Sequence, residues 1–217
     1  MSNEPTNIEK WELSKTKQFL HDECDPSRGI ISLADEIDAD TLYLFTLRMY
    51  AMKPDQSLLI LLNSPGGNVQ AGMGIYDLIK AHKGTTTIRV IGEACSMACV
   101  ILQAGDIRQA MPNSVLMHHV GTFGMEGHAK NMKHYAAFYK KQSERIDSIM
   151  LQRVNERIAK SIEATKLIKL TDTAGAESLE EEKLKTKAWW TERDLWDNWM
   201  FPEDAIAIGL LDSIYNG

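Results

Sequence analysis

Three short apolar runs constrain the fold of this chain most, because each has the length of a strand and is followed at once by residues capable of chemistry. The runs occupy residues 58–62, 87–91 and 115–117. A continuous apolar run of this length indicates a strand that is covered on both faces. The segments between them carry apolar residues at helical spacing, and this alternation is typical of βαβ units. The sequence therefore predicts the α/β class with a parallel sheet.

Capping residues and helix breakers place the remaining elements. A first strand is predicted at residues 30–33, and the second of the three runs is expected to begin at residue 85. The third is expected to extend to residue 119. The predicted helices run from the N-cap Asp38 to Pro54, from Val69 to Gly84, from Ser96 to Gly105 and from Pro202 to Gly209.

A long amphipathic segment follows these elements. Residues 132–158 keep the apolar spacing of one face of a helix. A periodic pattern longer than about 25 residues is unusual for a core helix of a compact domain. We therefore expect this helix to project from the domain or to pack against a partner. Residues 171–187 are poor in apolar side chains and are predicted to form a loop or a solvated helix end.

Composition argues against several functional classes. The 217 residues carry 24 basic and 30 acidic side chains, a net charge of −6, which provides no basic surface for nucleic acid or an anionic membrane. No run approaches the roughly 20 apolar residues of a membrane span, and the polar start lacks the regions of a signal peptide. The 3 cysteines have no framework spacing, which favours a reducing compartment. We expect one cytoplasmic domain that binds neither nucleic acid nor membrane.

Ser96 is a candidate nucleophile. Side chains at the carboxyl ends of neighbouring parallel strands converge on one crevice, and Ser96 stands where a strand turns into a helix. A serine hydroxyl needs a neighbouring base at neutral pH, and the free amides of a helix N-terminus can stabilise an oxyanion. The alternative is that Ser96 only caps the helix. A thiol nucleophile at Cys95 or Cys99 is also conceivable, although free cysteines are more often small buried apolar residues.

His118 and His119 are the candidate bases. Because strand side chains alternate between faces, only one of them can face the crevice, and the other is expected at the surface or in an interface. Adjacent histidines also occur in metal sites, but no third ligand stands at a recognisable spacing, so no metal is predicted. The segment Pro65-Gly66-Gly67 is either a plain turn or a place where main-chain amides approach a substrate carbonyl.

Three motifs, in this order, resemble the proteolytic subunit of the Clp protease. They begin Asn63-Ser64-Pro65-Gly66-Gly67, Gly92-Glu93-Ala94-Cys95-Ser96 and Pro112-Asn113-Ser114-Val115-Leu116, and they run to residues 77, 98 and 119. The tail, residues 197–214, is similar as well, and the resemblance covers about residues 28–158 and 189–214. It implies a ClpP/crotonase-like fold of repeated βαβ units with a long protruding handle helix, about residues 129–168.

The resemblance also implies roles for individual residues. Ser96 matches the nucleophile of the family and His119 its base, while the main-chain amides of Gly67 and Met97 match its oxyanion hole. No cofactor and no metal are implied.

The resemblance of the tail, residues 197–214, implies the acid of a serine–histidine–acid triad. Asp197 stands just ahead of the terminal Pro-Glu-x-Ala helix and matches the carboxylate that orients the imidazole. Asp194 is the alternative acid, because the match passes through a tryptophan-rich stretch there.

A mode of assembly is implied too. The resemblance suggests homo-oligomeric rings, heptamers or stacked heptamers, with protein or peptide substrates cleaved inside a closed chamber and a Clp-type ATPase unfoldase as a candidate partner. The interval between the base and the acid is longer than usual for the family, with extra sequence near residues 160–190. Residues 1–27 would form a separate N-terminal segment before a peptidase domain at 28–217. The sequence Leu20-His21-Asp22, before the first strand, is similar to that of Clp-like peptidases found in bacteriophages and prophages.

The leading hypothesis is therefore a serine endopeptidase of the Clp type that works through an acyl-enzyme. Two alternatives stay open. The first is an acyl-thioester enzyme of the related crotonase architecture, which uses similar paired amides and needs no serine–histidine pair. The second is a catalytically silent ring subunit; a peptidase of capsid maturation is a further variant of the leading hypothesis.

Overall fold

The computed structural model describes residues 26–119, 121, 128–168 and 197–217. Its strands are β1 (Ile30–Ala34), β2 (Leu58–Ser64), β3 (Thr86–Cys95), β4 (Ile107–Ala110), β5 (Val115–His118), β6 (Asn198–Met200) and β7 (Ser213–Ile214). Its α-helices are α1 (Ala39–Tyr50), α2 (Val69–Ala81), α3 (Met97–Leu102), α4 (Ala129–Ile168) and α5 (Pro202–Ile208), and Pro26–Arg28 forms one turn of 3₁₀ helix. Strand and helix alternate from β1 to α3, so the predicted βαβ architecture is confirmed.

The strands form one sheet whose main path runs β1-β2-β3-β4-β7, with parallel pairing throughout this path. β3 is long enough to pair with two further strands along its length. Its first part pairs with β4, and its last three residues, Glu93 to Cys95, pair with β5 in parallel. β6 then adds to β5 in the antiparallel direction. The end of β3 therefore lies beside the end of β5, which in turn lies beside the beginning of β6.

One face of the sheet builds the core. Leu58, Ile60 and Leu62 of β2 are buried, at 2% exposure or less, and pack in one cluster with buried side chains of the helices such as Phe45 and Ile75. The alternate residues of the apolar run in β2 are only half-buried. The expectation that residues 58–62 are covered on both faces is therefore met on one face alone. Within the described residues, the other face of this strand is covered only in part.

The predicted ends of several elements differ from the observed ones. Asp38 caps α1 as expected, with its carboxylate accepting from the Thr41 N–H at 2.8 Å. α2 ends three residues before Gly84, because His82 is already extended, with φ −67° and ψ 137°. Gly84 instead allows the main chain of Gln56 to approach closely, since a Cβ at this position would collide with the Gln56 carbonyl oxygen.

β3 continues four residues beyond the predicted 87–91 run, up to Cys95. The additional pairing with β5 supports this extension. β4, β6 and β7 have four, three and two residues, too short to show a pattern in sequence.

α4 is the long amphipathic helix and spans 40 residues. Its two parts have different surroundings. Met150 and Val154 are buried against the core, and the Arg153 guanidinium donates to the carbonyl oxygens of Gln103 and Gly105 at 2.8–3.0 Å. Nearer the N-terminus, an apolar stripe is exposed by 40% to 54%, formed by Met132, Tyr135 and Phe138. One part of the helix is thus anchored to the domain, and the other presents apolar side chains outward.

Two predicted segments fall largely outside the described residues. Of the N-terminal segment 1–27 only its last two residues are described, and of the extra sequence at 160–190 only the part up to Ile168, which is helical. Within the described residues, every helix is too short or too polar to cross a membrane.

Candidate active site

Ser96 lies at the sharp turn between β3 and α3. Its backbone has φ 52° and ψ −120°, and Asp35 is the other non-glycine residue with a positive φ in the described chain. Such a conformation costs about 1–3 kcal/mol and persists only where its surroundings enforce it. Here the Ser96 N–H donates to the Met117 carbonyl oxygen at 2.8 Å, which ties the turn to the end of β5. The serine is therefore held next to the residues that follow β5.

The Ser96 hydroxyl makes a contact that a plain helix cap would not make. Ser96 occupies the N-cap position of α3, yet its side chain forms no capping hydrogen bond. An N-cap serine normally accepts from an amide of the first helical turn. Instead, Oγ of Ser96 lies 2.8 Å from Nε2 of His119. Of the two roles that the sequence left open for this hydroxyl, the geometry favours the contact with a base.

Strand register explains how Asp197 joins this pair. β5 and β6 run antiparallel with Met117 opposite Trp199 and His118 opposite Asn198. The next residue on each strand must then also stand opposite, which brings His119 to Asp197. Nδ1 of His119 and Oδ1 of Asp197 are 3.1 Å apart, across 78 residues of chain. The alternative acid, Asp194, lies outside the described residues.

The two contacts of His119 determine where the neutral imidazole carries its proton. A carboxylate can only accept, so Nδ1 donates to Asp197, and Nε2 is left to accept from the Ser96 hydroxyl. In this tautomer the ring can remove the hydroxyl proton while the oxygen attacks an electrophile. The side chains of His119 and Asp197 are 23% and 61% exposed, so the acid lies on the open side of the site.

The glycine turn packs directly against this serine. A Cβ on Gly66 would lie 2.8 Å from Cβ of Ser96 and 2.9 Å from the amide nitrogen of Met97. Gly66 and Gly67 have φ values of +96° and +145°, which only glycine adopts readily. The Met97 N–H belongs to the first residue of α3, where an amide has no acceptor within its own helix. The glycine turn therefore lies directly beside Ser96 and the Met97 amide.

His118 is buried, so of the two positions expected for it, at the surface or in an interface, the surface position is wrong. Its exposure is 3%, and it lines the same cavity as His119. β5 lies between β3 and β6 in the sheet, and residues of α4 line the cavity at the end of the strand. His118 lines a cavity next to Ser96 rather than an outer surface.

This cavity has a volume of about 310 Å³ and reaches the Ser96 side chain. Val69, Met97 and Val100 from the domain and Ile146 from α4 give it apolar walls. The residues from α4 were missed at the sequence level. Their helical spacing was visible, but nothing in the sequence indicates which face of a long helix lies over a serine more than forty residues earlier. The cavity could accept one apolar side chain of a substrate.

Cys95, beside Ser96, is poorly suited to act as the nucleophile. It is 3% exposed, and its Sγ donates to the Glu93 carboxylate at 3.6 Å. Burial, followed by the negative charge and the hydrogen bond of Glu93, raises the pKa of the Cys95 thiol to about 12. Burial also raises the pKa of Cys99 to about 12. The reactive form of a cysteine is the thiolate, which neither residue populates near neutral pH.

We expect Cys95 to be alkylated by iodoacetamide at pH 8 about 10³-fold more slowly than an ordinary free cysteine, because its thiolate fraction is lower by that factor. Peptide mass mapping over time measures the rate, and the same protein in urea serves as control, where Cys95 and Cys99 should react alike. Rapid alkylation of Cys95 in the folded protein, with loss of activity, would contradict this assignment.

In the part of the chain that the structure describes, histidine, cysteine and carboxylate side chains form no group of three or more able to hold a metal ion.

A comparison with known families identifies the family of this chain. A family model described as Clp protease matches residues 26–217, which include every strand and helix described above and every residue of the site. The mixed α/β architecture with its parallel sheet is that of ClpP. The match extends over far more than half of the sequence and supports a peptidase that handles polypeptide substrates and assembles into oligomers. The chain belongs to the Clp protease family.

Proposed function

We propose that this protein is a serine endopeptidase that cleaves peptide bonds through an acyl-enzyme on Ser96. One observation carries the proposal: Oγ of Ser96 lies 2.8 Å from Nε2 of His119, at a turn whose strained backbone holds the hydroxyl beside the ring. Membership of the Clp protease family supports a peptidase in general. The finer assignment of nucleophile, base and acid rests on this geometry.

In the first half-reaction, Oγ of Ser96 attacks the carbonyl carbon of the peptide bond while Nε2 of His119 takes the hydroxyl proton. The carbonyl oxygen becomes an oxyanion, which the amides of Gly67 and Met97 stabilise by hydrogen bonds. The protonated His119 then gives its proton to the leaving amine as the carbon–nitrogen bond breaks. The product at this stage is an ester between Ser96 and the acyl part of the substrate.

The second half-reaction reverses these roles with water. His119 removes a proton from water, the resulting hydroxide attacks the ester carbonyl, and Oγ of Ser96 leaves with the proton that His119 returns. Asp197 holds the ring in the productive tautomer and stabilises the imidazolium formed in both steps. The apolar cavity beside Ser96 supports a preference for an apolar side chain on the acyl side of the bond.

The proposed working form is a homo-oligomer, a heptameric ring or two stacked rings, with the sites facing an inner chamber. The stripe of Met132, Tyr135 and Phe138 on α4 supports a contact between subunits, because an exposed apolar stripe on a helix is typical of such a contact. The helix would then act as the handle between rings. A Clp-type ATPase unfoldase as partner and a cytoplasmic location complete the proposal.

Hydrolysis of fluorogenic peptides tests the proposed function. The purified oligomer should release the fluorophore from peptides with an apolar residue before the scissile amide, and a charged residue there should lower kcat/KM. Medium-chain acyl-CoA thioesters, assayed in parallel, should give no turnover above background. Thioester turnover without amide hydrolysis would favour the crotonase-like alternative, and inertness of a well-assembled oligomer toward both would favour a silent ring subunit.

A further inference from the structure

Ser64 is a buried serine that the triad and the two amide donors do not include. It is the last residue of β2 and directly precedes the turn Pro65-Gly66-Gly67. Its exposure is 0%. The hydroxyl donates to the Asp35 carbonyl oxygen at 2.5 Å and accepts from the Gly66 N–H at 3.1 Å. Both of its hydrogen-bonding functions are therefore used on main-chain groups around the glycine turn.

The next peptide group of the turn, between Gly66 and Gly67, is fixed by the loop after β1 that carries Asp35 and Ile37. The Ile37 N–H donates to the Gly66 carbonyl oxygen at 2.8 Å, and the Ile37 carbonyl oxygen accepts from the Asn68 N–H at 2.6 Å. The Gly66 carbonyl and the Gly67 N–H belong to one trans peptide group, in which they point in opposite directions. The bond to Ile37 therefore directs the Gly67 N–H away from the loop.

The opposite side of the turn is the side of the proposed nucleophile. Gly66 packs so closely against Ser96 and the amide of Met97 that any side chain larger than hydrogen would collide with both. Because two successive glycines with positive φ are conformationally permissive, the peptide groups of the turn can rotate unless other residues fix them by hydrogen bonds. Ile37 fixes one peptide group, and Ser64 fixes the one before it.

We propose that Ser64 is a positioning residue that orients the Gly67 amide toward the substrate oxyanion. The inference rests on the proposed peptidase function. By bonding both Gly66 and Asp35, the hydroxyl joins the glycine turn to the loop that carries Ile37. Alanine at this position would leave the Gly66 N–H without its acceptor. The peptide groups of the turn could then rotate. Ser64 itself would touch no reacting atom.

The test compares Ser64→Ala with Ser114→Ala, a matched loss of a buried hydroxyl. Ser114 is 1% exposed and donates to the Val90 carbonyl oxygen at 3.0 Å, away from the glycine turn. For S64A we expect kcat for a fluorogenic peptide to fall about 10- to 100-fold, with KM changed less than about threefold, because a transition-state donor is misplaced. S114A should keep kcat within about threefold of wild type.

A peptide boronate gives a second readout that a merely structural role would not move. It forms a tetrahedral adduct with the serine and places an oxygen in the oxyanion hole, so its inhibition constant for S64A should rise by about the same factor as kcat falls. If S64A does not fold, Ser64→Cys replaces it, since a thiol is a weak donor and acceptor of similar shape, and an intermediate loss of kcat is expected.

The possible outcomes separate the two proposals. A folded S64A variant with the kcat and boronate affinity of S114A overturns the role of Ser64, as does a cysteine variant with the kcat of wild type. A KM increase with unchanged kcat overturns it as well. A wild-type protein that neither cleaves peptides nor binds the boronate overturns the proposed function, and this inference with it.

Discussion

Replacing Ser96 with alanine is expected to lower kcat for peptide hydrolysis by about 10⁴-fold or more, the scale at which members of a serine–histidine–acid triad act. The variant keeps the amides of Gly67 and Met97 but loses the oxygen that lies 2.8 Å from the His119 ring. No acyl-enzyme can then form. The fold should survive, because the side chain of Ser96 makes no capping bond and alanine is smaller.

The control for this variant is Ser148→Ala. Ser148 is an exposed serine of α4 whose hydroxyl donates to the Glu144 carbonyl oxygen of its own helix. It should retain the wild-type kcat, and both variants should elute as the wild-type oligomer in gel filtration. Retention of even a tenth of the wild-type activity by a folded S96A variant would show that Ser96 is not the nucleophile.

The second large effect is expected for Asp197→Asn, which should lower kcat by about 10⁴-fold. An asparagine amide can donate to Nδ1 of His119, which would favour the tautomer with the proton on Nε2. That nitrogen could then no longer accept from the Ser96 hydroxyl. KM should change little, because Asp197 lies on the far side of the ring from the serine. Steady-state kinetics on one fluorogenic peptide measure both constants.

Asp194→Asn is the matched control, since it makes the same change three residues earlier in the chain. It is expected to keep kcat near the wild-type value. The reverse result, an inactive D194N variant beside an active D197N variant, would reassign the acid of the site. It would also imply that the 3.1 Å contact between His119 and Asp197 is not used in catalysis.

The alternation of strands and helices, and with it the α/β class, could be predicted because both depend on local periodicity. The serine, the histidine and the glycine turn could be placed near one another for a related reason: parallel strands bring their carboxyl ends to one edge. Asp197 could not be placed in that way. β6 has three residues, and its pairing with β5 brings together His119 and Asp197, which are 78 residues apart in the chain. Only the resemblance to a known family pointed to this residue.

His118 shows a second limit. The two-residue repeat of a strand indicates that neighbouring side chains face opposite ways, but not which of those faces other elements will cover. His118 is buried at the end of a strand that pairs with β3 and β6, beside a cavity that α4 also lines, and these elements are distant from it in sequence. The error in the predicted C-terminal end of α2 has a similar origin. Gly84 looked like a helix terminator, whereas its position is set by the close approach of the Gln56 carbonyl.

Fluorophosphonate labelling with mass mapping tests the central claim most directly, because the reagent phosphonylates a serine, with loss of fluoride, only where a base activates it and amides receive the developing charge. On an oligomer sized by light scattering, we expect one adduct for each chain, located on Ser96, and none on the S96A variant. Labelling of a different residue, or none in a folded and assembled protein, would contradict the assignment of Ser96 as an activated nucleophile.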